Sequence, residues 1–237
     1  FLNDRLNGTF DYYRNKFTDV VATSEIKTSI LGATYPRTNC QEYSYTGYEL
    51  SLTWQDRIRN FNYYVTGNLS FEQSKLDYTP ELTKKYPWMS AVGDPTGMTY
   101  GYVADGIFQS QEEIDNSPVQ SFGEYRVGDI KYQDINGDGV INSQDQIAIG
   151  YTNLPEIMYG FGATAQWKNW DFNVFFQGAA RTSFFLSGSS VKSLFSSGNL
   201  ERSAVNENIY NNVWMSTNTP EQNANVLYPR LSNGSGG

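Results

Sequence analysis

Two stretches of strict two-residue alternation limit what this chain can fold into. In the first, Tyr48, Leu50, Leu52 and Trp54 face one way while Glu49, Ser51, Thr53 and Gln55 face the other. After a polar turn at Asp56 to Asn60, the apolar side continues with Phe61, Tyr63, Val65, Leu69 and Phe71, and the polar side with Asn62, Tyr64, Thr66, Asn68, Ser70 and Glu72. A repeat of two is the signature of a strand with only one face in an apolar medium. The second stretch repeats the design: Tyr159, Phe161, Ala163, Ala165 and Trp167, a turn at Lys168-Asn169, then Trp170, Phe172, Val174 and Phe176. Both read as antiparallel hairpins. Leu6 to Arg14 alternates more loosely, with Leu6, Gly8, Phe10 and Tyr12 together, and Thr18 to Thr46 reads as a long loop because no period is sustained there.

Alternation alone does not choose between a β-sandwich and a membrane barrel, since a protein core and a bilayer both demand one apolar face. Connection length does better. Short turns and long connections alternate along the chain, which gathers the tight turns at one end of the sheet and the long loops at the other, as in outer-membrane barrels. Trp54, Trp167 and Trp170 sit near the short turns on the apolar side, where an aromatic girdle belongs. Strands of roughly nine to twelve residues are long enough to cross a bilayer when tilted. The expected fold is therefore all-β, an antiparallel transmembrane barrel segment, with residues 73–157 forming a long extracellular loop region.

Composition agrees and narrows function. Aromatics make up 16% of the chain and charged residues 18%, a balance that favours strands and loops over helices. A net charge of -8 argues against nucleic acid and suits an extracellular or cation-binding surface. One cysteine rules out an internal disulfide framework, and the lack of histidine removes the commonest general base. No catalytic constellation is visible, so the chain is not expected to be an enzyme. It begins without Met or a leader and ends in a Ser/Gly-rich run, and it reads as an internal segment of something longer.

The most chemically specific string runs from Gly128 to Asp145. With Asp134 as position 1, Asn136 falls at 3, Asp138 at 5, Gly139 at 6, Val140 at 7 and Asp145 at 12, the register of a calcium loop. A hard cation needs several converging oxygens, which Asp134, Asn136, Asp138 and Asp145 side chains and the Val140 carbonyl would supply around a structural Ca2+. Position 12 departs from the usual Glu: Asp145 is one methylene shorter. The other reading of residues 134–145 is a turn cluster closed by side chain to backbone bonds with no metal. Ahead of the loop, Glu112, Glu113 and Ile114 after Ser110 suggest a short helix, and a further helix is expected around Asn199 to Trp214.

The string Gly128 to Gly150, followed by Pro155, Tyr159-Gly160-Phe161-Gly162 and Trp170 to Gly178, resembles the C-terminal half of SusC/RagA-like TonB-dependent outer-membrane transporters. Asn7 to Val20, Gly47-Tyr48-Glu49-Leu50, Tyr102 to Gln109 and Tyr228-Pro229-Arg230-Leu231 fit the same pattern in the same order. The resemblance implies that residues 1–237 are part of a large barrel whose plug, energy-coupling box and last strands lie outside this segment. It also implies a bacterial outer-membrane location, outer-membrane lipid around the barrel, a SusD-like surface lipoprotein as partner, TonB coupling through the missing N-terminal part, and import of oligosaccharides or peptides. The alternative from a different class is a soluble extracellular glycan-binding β module stabilised by calcium.

Overall fold

A computed structural model describes residues 1–24, 36–185 and 207–231. Its elements in chain order are β1 (Leu6–Ala22), β2 (Thr38–Ile58), β3 (Phe61–Tyr78), the short strands β4 (Thr99–Gly101) and β5 (Ala104–Ile107), and helix α1 (Gln111–Asp115). Then come β6 (Val119–Gln120), β7 (Ile130–Tyr132), β8 (Val140–Ile141), β9 (Ile147–Ile149), β10 (Ile157–Trp167), β11 (Trp170–Ala180), α2 (Glu207–Tyr210) and α3 (Pro220–Ala224). The chain divides into two compact units, one of residues 1–99 and 150–183, the other of residues 100–149 and 184–237.

The first unit is a five-stranded antiparallel sheet in the order β1-β2-β3-β10-β11. Its register turns the alternation of each strand into rows that run across the sheet. Leu52 opposes Gly8 and Gly67, Gly67 opposes Phe161, and Phe161 opposes Phe176, so one row holds five residues of the apolar face. The row nearest the long connections is Tyr12, Tyr48, Phe71, Ile157 and Ala180; the row at the short turns is Ile58, Phe61, Trp167 and Trp170. Beyond the first of these the same face turns polar, with Arg14 opposite Thr46 and Thr46 opposite Gln73. The apolar belt is thus bounded at both rims by aromatic rings.

Its height can be estimated. Tyr48 and Ile58 mark the rims on β2, and ten residues at about 3.3 Å each span roughly 33 Å along the strand. A tilt of about 40° foreshortens this to roughly 25 Å, the height of the apolar band of a membrane barrel. Nothing in the described structure covers it. Phe10 and Phe172 are each 65% exposed and Trp170 is 76% exposed, whereas the buried hydrophobic side chains, Leu76, Phe108, Ile141, Ile209 and Val213, all lie outside the belt.

Several sequence expectations change here. Thr18 to Thr46 is not one loop: β1 continues to Ala22 and β2 starts at Thr38. The strands are also longer than expected, with 17, 21 and 18 residues in β1 to β3 against 11 in each of β10 and β11. The cause is the end of the belt. Past Tyr12 and Tyr48 the face that carries the belt turns polar, so its period fades while its ladder continues. The turn expected over Asp56 to Asn60 shrinks to Arg59-Asn60, with Arg59 at φ 56°. Trp54 lies two rows inside the belt, and the rim is completed instead by Ile58 and Phe61. Of the helix expected around Asn199 to Trp214, residues 199–206 lie outside the described residues, and the rest contains only the single turn α2.

Candidate functional site

The opposite face of the sheet is a polar wall with a graded composition. At the short-turn end, Arg57 opposes Asn62 and Gln166 opposes Asp171. Amides and hydroxyls follow, among them Thr53, Thr66, Asn68 and Thr164, with Asn173 Nδ2 donating to Thr164 Oγ1 at 2.6 Å. Carboxylates come next: Asp11 faces Glu49 across β1 and β2, and Glu72 lies on β3 close by. The Tyr13 hydroxyl donates to Glu72 Oε2 at 2.8 Å by crossing over β2 at Gly47. Only glycine permits this, because a Cβ on Gly47 would stand 2.6 Å from Tyr13 Cζ and 2.7 Å from the Phe71 carbonyl oxygen. Nearest the long connections the wall becomes aromatic, with Phe17 opposite Tyr43 and Asn15 opposite Tyr45.

In the second unit, β5 pairs with β7 and β6 pairs with β8 around the fully buried Phe108 and the nearly buried Ile141 and Val213. Helix α1 forms where the sequence signals it: Ser110 Oγ accepts from Glu113 N at 3.2 Å, and Glu113 Oε2 accepts from Gln109 N at 2.9 Å. That backbone donor, and then the Lys131 ammonium at 3.1 Å, hold the Glu113 carboxyl below its usual range. A carboxylate with a lowered folded pKa contributes stability above its unfolded pKa, and the contribution vanishes as pH falls through the folded value. Amide exchange at Gln109 and Glu113 is therefore expected to quicken, relative to Phe108, as pH falls below the ordinary glutamate range, and Glu113→Gln should remove that pH dependence.

Two strings far apart in sequence meet in this unit. Arg230 grips Asp129 with Nε to Oδ1 at 2.7 Å and Nη2 to Oδ2 at 2.9 Å, while Arg126 N donates to Asp129 Oδ2 at 2.8 Å. The Nε contact is a close ion pair, not an aligned hydrogen bond. Arg230 N also donates to the Gly128 carbonyl at 2.8 Å, and the Trp214 ring lies where a Cβ on Gly128 would be, 2.5 Å from Cε3, at a backbone φ of +94° that already favours glycine. Sequence reading took Gly128-Asp129 only as the approach to the cation loop and missed this role. Its signal was the second string, Tyr228-Pro229-Arg230, a lone arginine in an otherwise uncharged stretch.

The loop 134–145 is closed by its own acceptors. Asp134 Oδ1 and Oδ2 accept from Gly137 N at 2.8 Å and Gly139 N at 2.7 Å, and Asp138 Oδ1 accepts from Val140 N at 2.9 Å. Asn136 Oδ1 accepts from Asp138 N at 2.8 Å. Asp145 has no exposed surface and collects three backbone donors, from Ile135, Asn136 and Asn142, so it is the hub that holds the turn. The Val140 carbonyl accepts from Asn142 Nδ2 at 3.2 Å. The donor chemistry suits a hard cation, and Ile141 tucks the loop onto the core as its position 8 requires. Yet among the described residues no three or more Asp, Glu, His or Cys side chains are gathered as a metal cage.

A two-faced antiparallel sheet with an uncovered belt between aromatic rims, tight turns at one end and long connections at the other, defines the wall of an outer-membrane-type β-barrel. The TonB-dependent receptor P26 of Formosa agariphila is 32% identical over 187 residues, 74% of this chain and 18% of that receptor. The TonB-dependent receptor P3 of the same organism is 25% identical over 188 residues, again 74% of this chain and 18% of the receptor. The chain therefore spans under a fifth of the length of these curated relatives. Among solved structures, the RagAB peptide transporter shares the fold with a TM-score of 0.61 at 17% identity, over 97% of this chain and 24% of that one. The RagAB peptide importer in the closed-closed state gives 0.62 at 17%, over 98% and 24%. No family model matches the chain. With a receptor 32% identical over 74% of its residues, the chain belongs to the TonB-dependent receptor family, and its fold is SusC/RagA-like.

Proposed function

We propose that this segment is part of the wall of an outer-membrane importer for oligosaccharides or peptides, with β1 and β11 pairing to strands elsewhere in the full-length protein. The single observation that carries this reading is the belt: five strands in register present one face about as tall as a bilayer core, apolar but for Asp56, which pairs with Arg5 near the short turns, with aromatic rows at both rims. Left in water, that face would be a contiguous exposed hydrophobic patch of a kind soluble monomers rarely carry, which disfavours the soluble glycan-binding module. The polar wall then lines the lumen, and the long connections lie at the extracellular end, where a SusD-like lipoprotein would dock. TonB would act through the part of the protein that precedes this segment. The test is fractionation of the full-length protein in its host. Recovery in the outer membrane as a heat-modifiable band supports the reading, and recovery as a detergent-free monomer contradicts it.

A structural calcium ion belongs to the same proposal. Asp134, Asn136, Asp138, the Val140 carbonyl and Asp145 would hold it, and it would supply a charge centre that stiffens residues 134–145. Because Asp145 already anchors three backbone N–H groups, ion and hub are separable. Chelation is expected to raise protease cutting between Asp129 and Asp145, Asp138→Ala to abolish that calcium dependence, and Asp145→Asn to open the loop with or without calcium. Cutting that ignores both the chelator and Asp138→Ala removes calcium from the account.

A further inference from the structure

We propose that Phe17, Tyr43 and Tyr45 form a binding step for the rings of a neutral oligosaccharide on the lumenal wall, just beyond the membrane belt. This inference rests on the polar face being the lumen. Register puts the three side chains on that face: Phe17 opposes Tyr43 and Asn15 opposes Tyr45. The rings form one cluster, Phe17 and Tyr43 stacked at 5.0 Å and 26°, Phe17 and Tyr45 at 5.9 Å and 87°, Tyr43 and Tyr45 at 5.6 Å and 88°.

The cluster is out of place for a fold-building role. It stands on the polar side of a wall whose other rows are mostly amides, hydroxyls and carboxylates, and Phe17 remains 44% exposed. The adjoining β3 position in the same row, Leu76, is sealed instead, its backbone paired with Gly93 and Asp94. So the row is finished on one side and left open at the rings. An aromatic face suits the apolar C–H face of a pyranose.

The neighbours select the ligand class. Glu72, with Tyr13 hydrogen-bonded to it, and the facing pair Asp11 and Glu49 lie next down the wall. Carboxylates accept from sugar hydroxyls and repel uronates and sulfates, which leaves neutral saccharides. β2 offers a peptide no free strand edge here, because it is paired with β1 on one side and β3 on the other.

The test uses the full-length protein in detergent, mixed with three separate probes: neutral oligosaccharides from partial hydrolysis of glucan, mannan and xylan; acidic oligosaccharides from pectin; and casein peptides. Bound species are read by native mass spectrometry. The neutral pool should be retained. The triple variant Phe17→Leu, Tyr43→Leu, Tyr45→Leu keeps apolar bulk while removing the ring faces, and it should weaken retention about tenfold with heat-modifiable migration unchanged. Retention of peptides or acidic sugars in place of the neutral pool, or a membrane-inserted triple variant that binds as well as the parent, overturns this site alone. A protein that never enters the membrane sinks the barrel reading and the site with it.

Discussion

Arginine at Leu52 is expected to destabilise the inserted barrel by about 2–4 kcal/mol, the cost of a cationic side chain near the midplane of the lipid face. Leu52 lies in the third of six rows between the aromatic rims, on the uncovered side of the sheet. Its chain neighbour Ser51 lies in the polar wall opposite Thr9 and Asn68. Arginine there should change stability by no more than about 0.5 kcal/mol, as for an ordinary wetted position. Urea titration of the full-length protein folded into liposomes reads both. The comparison is informative because the two residues share a backbone, a strand and a distance from each rim, and differ only in the solvent they face. Equal losses at the two positions would mean that the belt is not bounded by hydrocarbon.

The second large effect belongs to the other compact unit. Asp129→Ala should cost about 3–5 kcal/mol, because it strands a guanidinium that is largely removed from water. Arg230 is 18% exposed and Asp129 6% in their side chains, and the pair joins residues 101 positions apart. The substitution also orphans the Arg126 N–H. The expected readout is a coordinated loss of amide protection at Gly128 to Ile130 and at Trp214 and Tyr228, with the ladder from Leu50 to Leu69 unaffected. Gly128→Ala should release the same segments by a different route, through collision with Trp214 and a backbone angle unsuited to alanine. If Asp129→Ala melts nothing but its own turn, the contact is decoration and not the joint that holds residues 207–231.

The belt was legible in the chain because a bilayer imposes one rule on every residue it touches. Leu50, Leu52, Phe172 and Val174 alternate for that reason, and the register of the sheet only aligns what each strand already declares. Where the rule stops, legibility stops too. Arg14, Lys16 and Lys75 belong to the same strands beyond the Tyr12 and Tyr48 row, yet they face solvent and keep no period, so the ladder there could not be read. Ile58 was hidden by a turn two residues long, tighter than the polar run Asp56 to Asn60 suggested. Long-range contacts left the least trace. Nothing local ties Arg230 to Asp129, and Gln120, whose amide donates to the Ile130 carbonyl and accepts from Tyr132 N, stands in for a strand that sequence reasoning had no means to place.

Spin labels placed singly at positions 49 to 54 on β2 of the full-length protein in liposomes test the central claim most directly. Collision rates with oxygen, which concentrates in the bilayer, should peak at positions 50, 52 and 54, and rates with a water-soluble nickel chelate should peak at 49, 51 and 53. Rates that do not alternate, or nickel access at position 52 equal to that at 51, would contradict a lipid-facing belt.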